Sequence, residues 1–408
     1  MKKRLFLVVL GMVGLVLSLP KESVFAGGFQ NPAQGASASG QAGAFVAQAD
    51  DPTALTHNPA GLTQISGTNF LFSPTIINPS TKYLTGTGET YKIKEETHLL
   101  PNLYFVTDFK REDWRFGLGI TTPYGQATEW SKDSPFRYYA TRSEMKFIDI
   151  NPSLAYRVSN ALSVGIGLNY YYSNIILEAL DDYSLYGPFP DGNHQIDVDG
   201  NQWGYNVGVL YKPSEKQSIG GSFRSGISVK HRGELKMVDV PDPLGGPAIT
   251  VPAVLKLDFP HLLSLGYAYR PNKRWKVEFD VEWVGWSAVD TIPVTLVGMA
   301  DQKIVKDWND TISYRLGMEL RTSSQWRLWA GYLFLPTPVP DRTFEPSLPD
   351  TDTHIFCLGL EWKKERFSLA LSQELSFPEE RNISEGGLFD GAYKSFNAIT
   401  TLNLQYNF

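Results

Sequence analysis

Cysteine is nearly absent. Cys357 is alone in 408 residues, which excludes an intrachain disulfide framework and any multi-cysteine metal site. Histidine is scarce too: His57, His98, His194, His231, His261 and His354 show no metal-ligand spacing, and there is neither a nucleophile elbow nor a phosphate loop. No cofactor or metal is therefore expected, and no enzyme. Positive charge is not in excess. With 37 Lys and Arg against 43 Asp and Glu, the formal net charge is −6, which argues against a nucleic-acid partner. Long apolar runs are missing beyond Leu5 to Leu19, itself shorter than the roughly 20 residues a spanning helix needs. A chain like this enters a membrane only as a barrel. No repeat of fixed period occurs, which removes solenoids and propellers.

What is present is alternation. Phe396, Ala398, Thr400, Leu402, Leu404, Tyr406 and Phe408 share one face of the last strand, and Asn397, Thr401, Asn403, Gln405 and Asn407 the other, with Ile399 the misfit. A strand repeats every two residues, so one face is greasy and the other rich in amides. Trp275, Val277, Phe279, Val281 and Trp283 alternate with Lys276, Glu278, Asp280 and Glu282. A wholly charged face does not suit a sandwich core, but it suits the wet lumen of a barrel whose other face meets lipid. Aromatics reach 13%, with 20 Tyr and 10 Trp, as the interfacial girdles of such a barrel require.

Fourteen segments of this kind run from about 67 to 408. Short turns (110–113, 159–160, 213–216, 271–273, 322–324, 364–365) alternate with long loops (78–96, 124–143, 177–201, 231–256, 287–309, 336–353, 377–393). Short periplasmic turns, long extracellular loops and an even strand number describe an all-β, 14-stranded antiparallel transmembrane barrel, residues 67–408, with both ends periplasmic. Before it, Lys2, Lys3 and Arg4, the apolar run and Val24-Phe25-Ala26 read as a signal peptide, residues 1–26, cleaved after Ala26. Residues 27–66 are crowded with Gly, Ala, Ser and Gln. Asp50-Asp51-Pro52 is a helix start, ending by Asn58-Pro59. A disordered tail and a plug both fit this composition. A barrel of this size needs its lumen filled, which favours an N-terminal plug, or hatch.

Several motifs together resemble the FadL family of outer-membrane transporters of long-chain fatty acids and other hydrophobic compounds. They are Gly27-Gly28-Phe29-Gln30, Asn58-Pro59-Ala60, Gly119 to Gly125, Ala127 to Trp130, Ile150 to Tyr156, Gly165 to Tyr170, Pro338 to Asp341 and Leu348 to Asp352. The likeness covers essentially the whole chain after residue 26. It implies passive transport: a hydrophobic ligand binds inside the barrel and leaves sideways into outer-membrane lipid through a kink in the third strand.

On that resemblance, Phe29 reaches into the binding pocket and Asn58, Pro59 and Ala60 rest against the kink. Pro123, Tyr124 and Gly125 supply the kink itself, since Pro removes a ladder donor and Gly permits irregular backbone. Arg137, Arg142, Arg224 and Arg315 are candidate partners for a ligand carboxylate. Each also suits a lumen charge network, because Asp and Glu are abundant there. Uptake of aromatic hydrocarbons by the same route, and a general diffusion porin, remain open as alternatives. A TonB-dependent receptor needs a larger plug and barrel, and a phospholipase needs a Ser–His pair that cannot be assembled. The expected partners are a hydrophobic small molecule and membrane lipid, and the chain is expected to be a monomer.

Overall fold

A computed structural model describes residues 27–31 and 34–408; the expected signal peptide lies outside them. Fourteen antiparallel strands close into one barrel. In chain order they are 68–84, 90–107, 114–129, Arg142–Arg157, Leu162–Asp181, Gly192–Ser214, 217–238, 248–269, 275–296, 302–321, Trp326–Leu335, Thr353–Lys364, 367–383 and Gly391–Asn407; those given by numbers alone are interrupted. The last strand closes the circle on the first, from Asn69↔Asn407 to Leu84↔Ala392. That closure pairs the first and last strands, which in an open sheet would be its free edges.

The side chains are distributed opposite to those of a water-soluble protein. Ile166, Leu168, Leu265, Phe279 and Leu358 are 47% or more exposed on the outer face, whereas Asp149, Asn169, Glu278 and Asp280 are fully buried inside. Period 2 produces both sets from the same strands. The greasy outer face is the one that meets hydrocarbon. Among the described residues no helix is long and apolar enough to cross a membrane. Ile399, the misfit of the last strand, faces inward and packs on Ile77 and Leu100.

Two features differ from the sequence reading. The fifth to eighth strands run far into the segments expected to be loops: the sixth is Gly192–Ser214, and the eighth begins at Ala248. Spanning takes about 9–11 residues, so these strands project well beyond the bilayer. Outside the membrane both faces are wet and the hydrophobic alternation that marks a strand disappears. The second difference is that the charged face of the ninth strand is not wet. Lys276, Glu278 and Asp280 are at most 1% exposed, because the N-terminal segment covers them.

That segment contains the short helices Ala36–Ser39 and Ala54–His57 and a 3-10 turn, Pro59–Gln64. Asp280 Oδ2 accepts the N–H groups of Phe45 and Val46 at 2.9 and 3.0 Å. Glu278 Oε1 accepts those of Ala47 and Gln48 at 2.7 and 3.1 Å. Irregular backbone inside a barrel needs such partners. Close approach is possible because the strands present glycine where the segment touches them. A Cβ on Gly331 would meet the Ala42 nitrogen at 2.6 Å, and one on Gly317 the Gln41 carbonyl oxygen at 2.9 Å.

Candidate functional site

The third strand breaks between Trp114–Thr121 and Gly125–Glu129. Its first part pairs with the second strand, from Leu103↔Ile120 to Thr107↔Phe116. Its second part pairs only with the fourth, from Gly125↔Lys146 to Glu129↔Arg142. Among the described residues no ladder joins 95–101 of the second strand to 123–128 of the third. The sheet closes again beyond, where Ile93 bridges Trp130 and the Lys94 N–H donates to the Glu129 carbonyl at 2.8 Å. The result is a gap in the barrel wall. A cavity of about 20 Å³ occupies it, lined by Lys94, Glu96, Ala127, Thr128, Ser143 and Glu144 among others.

Pro123, Tyr124 and Gly125 lie at this break, and the backbone groups they withdraw from the second strand find a different partner. The N–H of Asn31 donates to the Pro123 carbonyl at 2.8 Å and that of Gly125 to the Phe29 carbonyl at 3.0 Å. Residues 29–31 therefore act as a short strand on the inside of the kink. Asn58, Pro59 and Ala60 sit elsewhere than expected. The Asn58 amide donates to the Val46 and Val209 carbonyls at 2.8 and 3.0 Å, and Pro59 packs on Gly208 of the sixth strand. Physically, a proline turn needs bare backbone to lie against, and the fifth and sixth strands provide it through Gly165 and Gly208. The kink is occupied by Phe29 to Asn31 instead.

Phe29 is 5% exposed, at the centre of an aromatic cluster. Its ring lies 4.8 Å from Trp286, 5.3 Å from Phe259, 5.4 Å from Trp308 and 5.9 Å from Tyr124. On one side is an apolar cavity of about 100 Å³ walled by Met145, Ile175, Leu177, Leu255, Leu257, Val289, Ile292 and Ile304. It shares Ser143 and Glu144 with the gap. On the side of the N-terminal segment is a polar cavity of about 70 Å³ lined by Gln34, His57, Arg224, Glu282 and Arg315. Burial holds His57 down to about 4 although it contacts the Gln34 carbonyl, so its ring is neutral.

Of the four arginine candidates, Arg224 and Arg315 share the polar cavity, whereas Arg137 and Arg142 lie apart from it. Arg137 lies in an exposed loop, its guanidinium over the Tyr138 ring and 3.7 Å from Asp191. Arg142 pairs with Glu144 and with Glu178 at 3.1 Å, beside the gap. Arg224 donates to Asp149 at 2.7 Å and to the Tyr171 hydroxyl at 3.0 Å; Arg315 donates to Glu282 at 2.6 Å. All four already have acidic partners.

Three residues were not singled out from the sequence. Lys306 and Trp308 line the apolar cavity. Asp350, in the proline-rich loop, accepts the N–H groups of Gly27 and Gly28 at 2.8 and 3.0 Å and so holds the strand that carries Phe29. Burial pushes its carboxyl up to about 7, partly offset by the Thr337 hydroxyl, the Gly28 and Gly27 N–H groups and nearby Arg381. The same loop reaches the kink, where Gln126 donates to the Ser347 carbonyl and Trp130 Nε1 to that of Pro346.

Known proteins share this architecture. A solved FadL homologue of Pseudomonas aeruginosa superposes over 93% of this chain and 100% of its own, with a TM-score of 0.83 at 19% identity. The toluene transporter TodX of Pseudomonas putida does so over 93% and 99%, with a TM-score of 0.72 at 18% identity. At such identities the likeness concerns the fold. Among sequences, the long-chain fatty acid transport protein of Escherichia coli (strain K12) is 25% identical over 381 residues, 83% of this chain and 81% of the relative. Outer membrane protein P1 of Haemophilus influenzae is 22% identical over 313 residues, 68% of this chain and 65% of the relative. The sequence profile of the outer membrane protein transport protein family (OMPP1/FadL/TodX) matches residues 17–408. The chain belongs to that family of outer-membrane transporters of hydrophobic compounds.

Proposed function

We propose that the chain carries hydrophobic molecules, long-chain fatty acids foremost, across the outer membrane by passive diffusion. The ligand enters from outside, rests in the apolar cavity over Phe29 and leaves sideways into the bilayer between the second and third strands. The observation that carries this reading is the unpaired stretch of wall next to the cavity, the two sharing Ser143 and Glu144. Each buried acyl CH₂ is worth roughly 0.8 kcal/mol, so an acyl chain moves from an apolar cavity to lipid more readily than into periplasmic water. Residues 27–66 act as the plug that closes the direct route, and their fit against Glu278 and Asp280 supports this role. A filled lumen also argues against a general porin. The chain acts as a monomer in contact with membrane lipid.

Fatty acids are preferred because the Escherichia coli relative carries that name. The aromatic floor formed by Phe29, Trp286 and Trp308 favours a second reading, uptake of aromatic hydrocarbons. The test is uptake of labelled oleate and toluene by a host lacking its own transporters. The chain should confer oleate uptake without an energised inner membrane and without admitting small sugars. Oleate uptake at background, or sugar leakage, contradicts the reading.

A further inference from the structure

The charged groups around the apolar cavity cancel in pairs. Lys306 is ion-paired with Glu345, both side chains 12% exposed, and the Ser347 hydroxyl donates to the second Glu345 oxygen at 2.8 Å. Burial raises the Glu345 carboxyl, but the Lys306 charge and hydrogen bonds from Lys306, Ser347 and Tyr139 outweigh it, holding it below the usual carboxylate range. It is therefore ionised at neutral pH. Glu144, the other acid in the lining, pairs with Arg142 and, at 3.0 Å, with Lys146. An incoming carboxylate would have to expel Glu345 from Lys306. That exchanges one ion pair for another and leaves a buried acid without its cation, which is strongly unfavourable.

One donor on a lining residue is unspent. Trp308 is 4% exposed, and its Nε1 has no hydrogen-bond partner among the described residues. The indole is held between Phe29 and Trp286, at 5.4 and 5.3 Å. Its Cζ3 edge lies toward Gly28. Cζ3 is opposite Cε2, the atom that bears Nε1, so the N–H is turned away from Gly28. A buried N–H without an acceptor is unfavourable and calls for an explanation.

We propose that the cavity takes an uncharged ligand with an acceptor oxygen, which the Trp308 N–H reads, and that Glu345 withholds Lys306 from carboxylates. Alcohols, esters and protonated fatty acids meet this description. The inference rests on the proposed transport reading and specifies its head group.

The test is equilibrium binding of dodecane, methyl laurate and laurate at neutral pH to the full mature chain in lipid nanodiscs, with empty nanodiscs subtracted. Methyl laurate should bind tighter than dodecane. One neutral hydrogen bond predicts that Trp308→Phe weakens methyl laurate by about threefold to tenfold while dodecane changes by less than about twofold. Freeing a buried cation predicts that Glu345→Gln tightens laurate at least about tenfold more than it tightens methyl laurate. Equal weakening of dodecane and methyl laurate by Trp308→Phe, or no effect on either, overturns the role of the indole. Wild-type laurate binding tighter than methyl laurate, unchanged in Glu345→Gln, overturns the role of Glu345. If the wild type binds none of the three, the transport reading falls and the inference with it.

Discussion

Gly220→Val should open the barrel without unfolding it. Gly220 faces the lumen, and a Cβ there would lie 2.5 Å from the Val46 carbonyl carbon and 2.8 Å from the Ala47 Cα. Both are backbone atoms and the Val46 carbonyl oxygen is nearer still, so the N-terminal segment must retreat by more than about 1 Å to reach ordinary contact. Overpacking of this kind costs about 1–3 kcal/mol. The retreat also pulls the Phe45 and Val46 N–H groups off Asp280. Each of these hydrogen bonds is worth about 0.5–1.5 kcal/mol, so the docked segment loses about 2–6 kcal/mol in all. Next to it, Gly221 has only Leu265 Cδ2 within 4 Å, at 3.5 Å, and Gly221→Val is the matched control. Single-channel conductance in planar bilayers is the assay, with heat-modifiable gel mobility confirming a folded barrel. Gly220→Val should conduct ions and Gly221→Val should stay closed. A folded Gly220→Val barrel as closed as wild type would refute the reasoning.

Two further outcomes follow from buried acids. In the uncleaved chain, where the Gly27 nitrogen is an amide, the Asp350 carboxyl is held up to about 7 as it grips Gly27 and Gly28, whereas a released one titrates near 4. The docked state therefore binds more protons between those values, and docking should be strongest below about pH 4 and weaken as pH rises through 7. Amide exchange of residues 27–31, corrected for intrinsic rates, measures this; protection that grows with pH contradicts it. Arg224→Met leaves Asp149 buried with only the Asn169 amide, which should cost about 3–5 kcal/mol of barrel stability. Adding Asp149→Leu should recover most of it. A wild-type denaturation midpoint in the single variant would argue that Arg224 is not needed there.

Much of the barrel is legible because lipid outside and polar groups inside impose period 2 on every spanning strand, and Trp275 to Trp283 displays it openly. That signal ends at the membrane surface, so the outer part of the sixth strand, with Asp197 and Asp199 on one face, reads as loop. The charged face of the ninth strand is legible as lumen but not as the anchor of residues 45–48, since its partners lie more than two hundred positions away. Pro123 and Gly125 announce a break by their own chemistry. What fills the break does not announce itself, because Phe29 to Asn31 are remote from it in sequence and meet it only in the folded chain. Lys306 and Trp308 stand in a segment that reads as loop, and their place in the cavity is equally a product of the folded chain. Asp350 had a visible signal, standing within Leu348 to Asp352, but nothing in the motif names the Gly27 and Gly28 N–H groups as its partners.

The central claim is that the ligand leaves through the wall, and filling the gap tests it most directly. Ala127 lines the gap but not the apolar cavity, so Ala127→Trp should obstruct the exit and spare the binding site. The measurement is the initial rate of oleate uptake by cells carrying this variant, alongside equilibrium binding by the same purified protein. The account predicts binding within about twofold of wild type, a change below about 0.5 kcal/mol, together with uptake reduced to background. Wild-type uptake by a folded, surface-located Ala127→Trp barrel would contradict it.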